Sequence, residues 1–288
     1  MYILCAGSRV ITKILTDFGV RGLTSIGDEL FVLLKRDDIP DNYQVEVYSI
    51  NDNQLLRRVQ VSEIIKDLTS CVGHNCLYMA DWEKSCIRKY EAAGDSISEW
   101  SVGLPGQPLG LSVAPSGNLL VTCQALKYGD PNKLVELSKE SGKRVREIAL
   151  QSDIEYPHHS VQLTTGQLVV CHGYYNIHSP HQDSSHRVCL VGNDGKVTYS
   201  YNGQGRSDDV QLKWPRYLAV DEDTQFIFVA DESKDRVVLL RVISPSELEF
   251  VRCVIEGLSR PVRLYFHQAT RRLFVGHYWG GVSVIQLL

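Results

Sequence analysis

Short runs of mostly apolar residues recur along the whole chain, and a polar residue or a turn ends nearly every run. The runs end at positions 35, 81, 123, 172, 231 and 277, so the intervals are 46, 42, 49, 59 and 46 residues. A fixed period of roughly this length is the signature of a repeat architecture. The best-matched runs occupy residues 118–123, 167–172, 226–231 and 272–277.

Each repeat contains further short strands around this run. An apolar strand that often opens at proline precedes it, a third strand follows it, and a more polar fourth strand often closes the unit. Four short strands per unit are typical of a β-propeller blade. Helical periodicity is nearly absent, and its best candidate, residues 61–68, predicts one or two helical turns between two blades.

The repeats therefore predict an all-β fold, a single six-bladed β-propeller of four-stranded antiparallel blades over residues 1–288. The ring must close, because one blade cannot bury both of its faces and open sheet edges invite aggregation. The last unit supplies only three strands, so residues 11–15 are expected to complete it by pairing the N- and C-terminal strands. The approximate blades are 18–60, 61–103, 104–152, 153–204, 205–256, and 257–288 together with 1–17.

Composition is that of a folded globular protein, with 43% hydrophobic and 22% charged residues. No apolar run approaches the roughly 20 residues that span a bilayer, and no signal peptide or membrane partner is expected. The net charge of −4 provides no overall attraction to a phosphate backbone. The eight cysteines are scattered without a Cys-x-x-Cys pair, which favours reduced thiols and a cytoplasmic location.

The stretch from residue 205 to 240 resembles an NHL repeat. It contains a glycine-bearing loop, the sequence Gln-Leu-x-x-Pro, an apolar strand ending in Asp221, and Val-Ala-Asp ending in Asp231 before an Arg-Val pair. Residues 78–90 form a weaker second copy, in which Asp81 takes the place of Asp231. The other four units depart from the pattern, because a lysine, cysteine or histidine replaces that aspartate: Lys35, Cys123, His172 and His277.

This resemblance implies a propeller similar to the C-terminal domain of tripartite-motif proteins. In that family the propeller selects protein or RNA partners, and a separate zinc-binding RING domain carries ubiquitin ligase activity. The sequence contains no RING cysteine pattern, so the resemblance implies the recognition half of such a ligase. Other NHL-like propellers are extracellular modules, and one group is a metal-dependent amidating lyase.

The loops between second and third strands are expected to share one face with the starts of the first strands. Three of these loops are long, at residues 36–43, 124–132 and 173–186, and aromatic and arginine side chains collect there. Such side chains most often anchor partners, although a tryptophan beside a tight loop also packs against a neighbouring blade. The predicted partner-binding residues are Trp82, Tyr128, His172, Tyr174, Trp214, Arg216, Arg263, His277 and Trp279.

Candidate chemistry is sparse. Three histidines are candidates for a zinc site, His159, His172 and His186, but they lack a spacing such as His-x-x-x-His, and solvated histidines are the alternative. No cofactor is therefore expected. The sequence contains no His-Glu-x-x-His, Gly-x-Ser-x-Gly or phosphate-binding loop. The repeated aspartates Asp81 and Asp231 are expected to accept backbone N–H bonds that hold a loop.

Three functional hypotheses remain. The first is a non-catalytic, monomeric scaffold that binds a protein or peptide on one propeller face. The second is single-stranded RNA binding by the same face, in which aromatic rings stack on bases and arginines neutralise phosphates. Acidic residues on that face oppose phosphate: Asp37, Asp38, Asp130, Asp183 and Glu232. The third is a metal-dependent lyase or hydrolase that uses the histidine-rich unit.

Overall fold

The computed structural model of the chain describes residues 3–4, 8–36, 43–91, 96–173, 186–203 and 210–287. These residues form 25 β-strands in six antiparallel sheets, one for each blade. The first strand of every blade contacts the first strands of both neighbouring blades, and blade 6 contacts blade 1. The six inner strands therefore surround a central axis, which confirms the all-β, six-bladed propeller.

Two strands precede the first blade, β1 (Ile3–Leu4) and β2 (Ser8–Ile14). Blade 1 contains β3 (Gly19–Ile26), β4 (Glu29–Lys35), β5 (Tyr43–Ser49) and β6 (Leu55–Val61). Blade 2 contains β7 (Ile65–Cys71), β8 (Cys76–Asp81), β9 (Cys86–Glu91) and β10 (Ser96–Ser101). Blade 3 contains β11 (Gln107–Val113), β12 (Leu119–Gln124), β13 (Lys133–Leu137) and β14 (Arg144–Ala149).

Blade 4 contains β15 (Pro157–Gln162), β16 (Leu168–His172), β17 (Arg187–Val191) and β18 (Val197–Tyr201). Blade 5 contains β19 (Pro215–Asp221), β20 (Phe226–Asp231), β21 (Arg236–Ser244) and β22 (Glu247–Glu256). Blade 6 contains β23 (Pro261–His267), β24 (Arg272–His277) and β25 (Val282–Leu287). Among the described residues, 3₁₀ turns lie at Val72–His74 and Glu232–Lys234. No described helix is long and apolar enough to cross a membrane.

The N- and C-terminal strands close the ring as the sequence predicted. Strand β2 is antiparallel to β25, with Ser8 opposite Leu287 and Ile14 opposite Val282, and it supplies the fourth strand of blade 6. Strand β1 then pairs with the outer strand of blade 5, where Ile3 lies opposite Glu256. Blade 5 therefore has five strands instead of the predicted four, because β22 is long and β1 covers part of its open edge.

The predicted helical turns at residues 61–68 are wrong. Val61 ends β6, and Ile65 already begins the inner strand of blade 2. Ile65 lies opposite Asp81 and Leu68 opposite Met79, so a β-bulge inserts an extra residue between them. The bulge places two buried apolar side chains three residues apart, and this spacing imitates the periodicity of a helix.

The hydrophobic core lies between neighbouring blades. The second strand of each blade is buried on both faces, and in β16 the side chains of Leu168, Val169, Val170 and Cys171 are fully buried. Full burial of one such aliphatic side chain stabilises a fold by about 1.5–3 kcal/mol. The packed blades therefore form a rigid scaffold for the loops at the two ends of the ring.

Candidate functional site

One end of the ring, the top face, is defined by the start of every first strand and the end of every second strand. Cross-strand register places Gly19 opposite Lys35, Ile65 opposite Asp81, Pro215 opposite Asp231, and likewise in the other blades. The loops between second and third strands leave the blades at this end. The opposite end, the bottom face, carries the turns between first and second strands.

The inner strand of every blade contains a β-bulge within its first residues at the top face. The register shifts lie at Val20/Gly22, Ile65/Leu68, Pro108/Gly110, Pro157/His159, Pro215/Tyr217 and Pro261/Arg263. Bulges change the direction of side chains and are common next to functional sites. Basic or imidazole side chains occupy four of the bulges: Arg21, Lys66, His158 and Arg216.

A buried polar cluster, the axial hub, crosses the centre of the ring just below these bulges. It consists of Asp67, His159, Tyr217 and Arg263. The backbone N–H of Leu111 donates to Asp67 Oδ2 at 2.9 Å, and the Tyr217 hydroxyl donates to the same oxygen at 3.0 Å. Arg263 Nε lies 3.5 Å from Asp67 Oδ1.

The axial hub also reaches the backbone of the remaining blades. Arg263 donates to the backbone oxygens of Arg21 in blade 1 and Lys66 in blade 2. The His159 ring stacks on Tyr217 with centroids 3.7 Å apart, and its Nε2 lies 3.0 Å from the Leu111 oxygen. Because a carbonyl only accepts, this Nε2 carries the proton. Contacts of the axial hub therefore join all six blades across the axis.

Burial sets the ionisation of the axial hub. It raises the pKa of Asp67 to about 6, although Arg263 and the hydrogen bonds to Leu111 and Tyr217 oppose this effect. Burial lowers the pKa of His159 to about 3, and it raises the pKa of Tyr217 well above its ordinary value. Near neutral pH, the cluster therefore holds an ion pair between Asp67 and Arg263 beside a neutral imidazole and a neutral phenol.

Cations at the top face rest on aromatic rings. Lys66 Nζ lies 4.8 Å from the centroid of Trp82. Two guanidinium groups lie over the Tyr278 ring, with Arg21 Cζ at 4.7 Å and Arg260 Cζ at 4.4 Å from its centroid. Such contacts hold a cation in place at distances below about 6 Å. The aromatic rings thus orient basic side chains around the upper end of the axis.

Arg216 lies in a second polar group, between blades 4 and 5. Its Nε is 3.2 Å from Glu232 Oε2, and Arg260 binds the other oxygen of the same buried carboxylate. Arg216 Nη1 lies 3.2 Å from His158 Nδ1, while His158 Nε2 lies 3.1 Å from the oxygen of Gly173. Burial, followed by the charge of Arg216, holds the pKa of His158 well below its ordinary value, so a neutral ring accepts from Arg216.

Large hydrophobic side chains are also exposed at this face. Among the described residues, the five most exposed ones all lie in top-face loops. They are Tyr128 at 108%, Leu15 at 84%, Val102 at 68%, Trp279 at 64% and Leu126 at 63% relative exposure. These five exposed side chains therefore share one face of the ring.

The predicted partner-binding residues differ in accessibility. Tyr128 and Trp279 are exposed, while Trp82, Trp214 and Arg216 are partly exposed. Arg263 belongs to the axial hub, and Tyr174 lies outside the described residues. The set of predicted residues is thus divided between a surface and the interior.

His172 and His277 lie in the interior, at 1% and 5% exposure. His172 Nε2 accepts from Arg187 Nε at 2.9 Å, and His277 Nε2 lies 2.8 Å from Ser283 Oγ. Both histidines end a second strand that packs between blades, so their rings turn inward and offer no surface to a partner.

The three candidate zinc ligands lie in the interior. His159 and His186 are buried like His172, and the part of the chain that the structure describes contains no group of three potential metal ligands. Burial lowers the pKa of His172 to about 3 and raises that of the adjacent Cys189 thiol to about 11. A neutral imidazole beside a neutral thiol does not form the ion pair that activates a cysteine nucleophile.

The repeated aspartates hold loops, as the sequence predicted. Asp81 Oδ1 accepts the backbone N–H of Lys84 at 3.0 Å, and its other oxygen accepts from Arg88 Nε at 2.8 Å. Asp231 binds the backbone N–H of Lys213 and the side chain of Arg236 in the same way. Both aspartates are buried, so they position loops and do not face a ligand.

Sequence reasoning missed Lys66, Asp67 and Tyr217. The first two fall in the segment that was predicted to be helical, and Tyr217 looked like an ordinary strand residue. A signal was present, because residues 65–68 align with 215–218 and 261–264 as the start of an inner strand. That alignment places Lys66 at the position of Arg216, and Asp67 at the position of Tyr217 and Arg263.

Comparison with known proteins shows the fold. The chain is similar to hydrazine synthase of Kuenenia stuttgartiensis, with 16% identity, a TM-score of 0.63 and coverage of 96% of this chain and 98% of that one. It is also similar to virginiamycin B lyase of Staphylococcus aureus, at 10% identity, a TM-score of 0.57 and full coverage of both chains. A streptogramin B lyase matches at 10% identity and a TM-score of 0.60, with 98% of both chains covered. No family model and no curated protein sequence matches the chain.

Proposed function

We propose that this propeller is a non-catalytic binding module whose top face recognises a peptide segment of a protein partner. The observation that carries this proposal is the position of the exposed hydrophobic side chains. The five most exposed ones in the described part of the chain all lie in top-face loops, from Leu15 beside blade 6 to Tyr128 in blade 3. Their spread across both sides of the axis suits an extended segment that crosses the ring.

A peptide fits this surface better than RNA does. Three of the five exposed side chains, Leu15, Val102 and Leu126, are aliphatic, and aliphatic groups do not stack on bases. The top-face cations favour acidic side chains in the partner, so the proposed ligand combines apolar and acidic residues. Single-stranded RNA is the alternative that the experiment below distinguishes.

An enzymatic role is the other alternative, because two proteins of similar fold are lyases. The buried histidines argue against it. His159 and His172 have pKa values lowered by burial to about 3, so neither exchanges a proton readily near neutral pH. The resemblance to NHL propellers supports partner selection instead, and a role in substrate recognition by a ubiquitin ligase rests on that resemblance alone.

Selection from a random peptide display library tests the proposal. We expect the wild type to enrich peptides with apolar and acidic residues. Trp279→Ala and Tyr128→Ala should each weaken binding of an enriched peptide at least tenfold. Val145→Ala, at an exposed position on the outer strand of blade 3, is the matched control and should leave the affinity unchanged.

RNA binding provides the contrasting outcome. Random single-stranded RNA is titrated at two salt concentrations, because a phosphate-driven affinity falls steeply as salt rises. Strong, salt-dependent RNA binding without enrichment of peptides would refute a peptide partner. Peptide affinities that stay unchanged in both the Trp279→Ala and the Tyr128→Ala variant would refute the top face as the binding surface.

A further inference from the structure

Two cysteines face each other at the bottom end of blade 2. Cys71 ends β7 and Cys76 begins β8, and the antiparallel register places them directly opposite one another as free thiols. Both side chains belong to the apolar cluster between blades 2 and 3, so they lie on the same side of their sheet. Opposite residues in such a pair have Cα atoms about 4.5–5.5 Å apart, and a disulfide spans Cα distances of about 4.4–6.8 Å. The two cysteines are therefore close enough to form a disulfide without a rearrangement of the backbone.

The two thiols differ in their access to small molecules. Cys71 is 6% exposed and lies in the wall of a cavity of about 910 Å³, whereas Cys76 is fully buried and does not line this cavity. Bottom-face turns between first and second strands also line it, and they contribute Gly27, Gly73 and Pro115. A small molecule that enters the cavity at the bottom face therefore contacts Cys71 and not Cys76.

A histidine and a carboxylate accompany the Cys71 thiol. His74 lies in the turn between the two cysteines, and its Nδ1 is 3.6 Å from Cys71 Sγ. The other ring nitrogen, Nε2, is 3.5 Å from Oε2 of Glu140 in blade 3. The thiolate is the nucleophile in exchange with disulfides, and an imidazole in contact with the sulfur accepts the thiol proton. The carboxylate then stabilises the imidazolium that this transfer forms, as the third member of a nucleophile–base pair does.

A second cysteine–histidine contact of the described chain lacks these features. Cys189 Sγ lies 3.5 Å from His172 Nε2, but both residues are buried, and Arg187 donates to the same nitrogen. Burial, followed by the charge of Arg187, lowers the pKa of His172 to about 3, so its ring stays neutral. His74 is exposed and lies beside a carboxylate instead of an arginine. Of the two contacts, the one at Cys71 is therefore suited to proton transfer.

We propose that Cys71 and Cys76 form a dithiol site that exchanges with low-molecular-weight disulfides at the bottom face. His74 accepts the proton of Cys71, and the Cys71 thiolate attacks a disulfide R–S–S–R, which forms Cys71–S–S–R and releases one R–S⁻. Cys76 then attacks the Cys71 sulfur, the Cys71–Cys76 bond forms, and the second R–S⁻ leaves. The two protein thiols are oxidised, and the small disulfide takes up their two protons and becomes two thiols. This site goes beyond peptide recognition, because it lies at the opposite end of the ring.

Mass spectrometry after incubation with oxidised glutathione tests the site. Trypsin releases residues 67–84 as one peptide that contains both cysteines, because no lysine or arginine lies between Lys66 and Lys84. We expect this peptide to lose two hydrogens and the solution to gain two molecules of reduced glutathione for each protein chain. The buried thiols of Cys171 and Cys189 are the internal controls, and they should remain open to alkylation after the protein is unfolded.

Substitutions test the role of each side chain. Cys76→Ala should accumulate the mixed disulfide of glutathione on Cys71, whereas Cys71→Ala should leave the buried Cys76 reduced. His74→Gln should slow the oxidation at least tenfold, because glutamine does not accept the thiol proton. His267→Gln is the matched control, since His267 ends the inner strand of blade 6 at the same face, and it should keep the wild-type rate. His74 is exposed, so its variant is expected to keep the wild-type melting temperature.

Three results would overturn the dithiol site. The first is a peptide 67–84 that keeps both thiols after incubation of the wild type with excess oxidised glutathione. The second is an equal rate of oxidation in the wild type and His74→Gln. The third is oxidation of Cys171 or Cys189 at the rate of Cys71, because the reaction would then take place in the unfolded protein. None of these results bears on peptide binding at the top face, so the two proposals fail separately.

Discussion

Lowering the pH from 7 to 5 is expected to destabilise the fold, because three buried histidines stay neutral in the native state. Burial lowers the pKa of His159 and His172 to about 3 and that of His277 to about 4. A histidine in the unfolded chain titrates near pH 6.5. Below that pH the unfolded state binds more protons than the native state, so the free energy of unfolding falls as the pH falls.

The magnitude follows from proton linkage. Between pH 7 and pH 5, one histidine that titrates at about 6.5 only in the unfolded state destabilises the protein by about 2 kcal/mol, and three give about 6 kcal/mol. Two buried carboxyls act in the opposite direction, because burial raises the pKa of Asp67 and Asp231 to about 6. Each carboxyl binds its proton at a higher pH in the native state than in the unfolded state. This stabilises the native state by about 1.3 kcal/mol over the same interval. These five groups together give a net loss of about 3 kcal/mol. His158 and His267, whose pKa values burial also lowers, act in the same direction, so the expected loss is at least about 3 kcal/mol.

Urea unfolding followed by tryptophan fluorescence at pH 7 and pH 5 measures this difference. His172→Asn should reduce the pH-dependent loss by about 2 kcal/mol, since one of the three histidines no longer contributes. Val145→Ala, at an exposed position, should keep the full loss. Equal stability at the two pH values, or greater stability at pH 5, would refute the account of the buried histidines.

Three further outcomes are expected from urea or thermal unfolding. Asp231→Ala should lower the free energy of unfolding by about 3–5 kcal/mol, because it leaves Arg236 buried without its carboxylate. A loss below about 1 kcal/mol would contradict a stabilising role of this ion pair. Tyr217→Phe removes the hydroxyl that donates to Asp67 and should lower the free energy of unfolding by about 1.5–3 kcal/mol. An unchanged urea midpoint would show that this hydrogen bond does not stabilise the axial hub. Deletion of residues 1–14 removes the strand that closes blade 6, so it should lower the melting temperature and produce aggregates detectable by light scattering. A monomeric deletion variant with the wild-type melting temperature would argue against closure by that strand.

Much of the fold was predictable from the sequence, because each blade repeats the same pattern of short strands. The spacing of the second strands gave the number of blades, and the incomplete last unit gave the closing pair of β2 and β25. The loop-holding role of Asp81 and Asp231 also followed from their repeated position. These features depend on local sequence pattern, which a single chain displays directly.

The site was harder to predict, because its residues come together only through bulges and ring closure. The bulge between Ile65 and Leu68 spaces two apolar residues as in a helix. Lys66 and Asp67 were therefore assigned to a helical turn and not to the start of an inner strand. The inward turn of His172 depends on packing between two blades, and no feature of its own strand records this. The positions of these residues in the sequence therefore predicted the correct end of the ring, but they did not distinguish exposed side chains from buried ones.

Hydrogen–deuterium exchange with an enriched peptide tests the central claim most directly, because it reports which face the ligand covers. Top-face binding is expected to slow exchange in the described loops at residues 125–132 and 278–281 and at the start of β7, and to leave the bottom-face turns at 114–118 and 222–225 unchanged. Protection confined to the bottom-face turns, or to the outer strands of the blades, would contradict it.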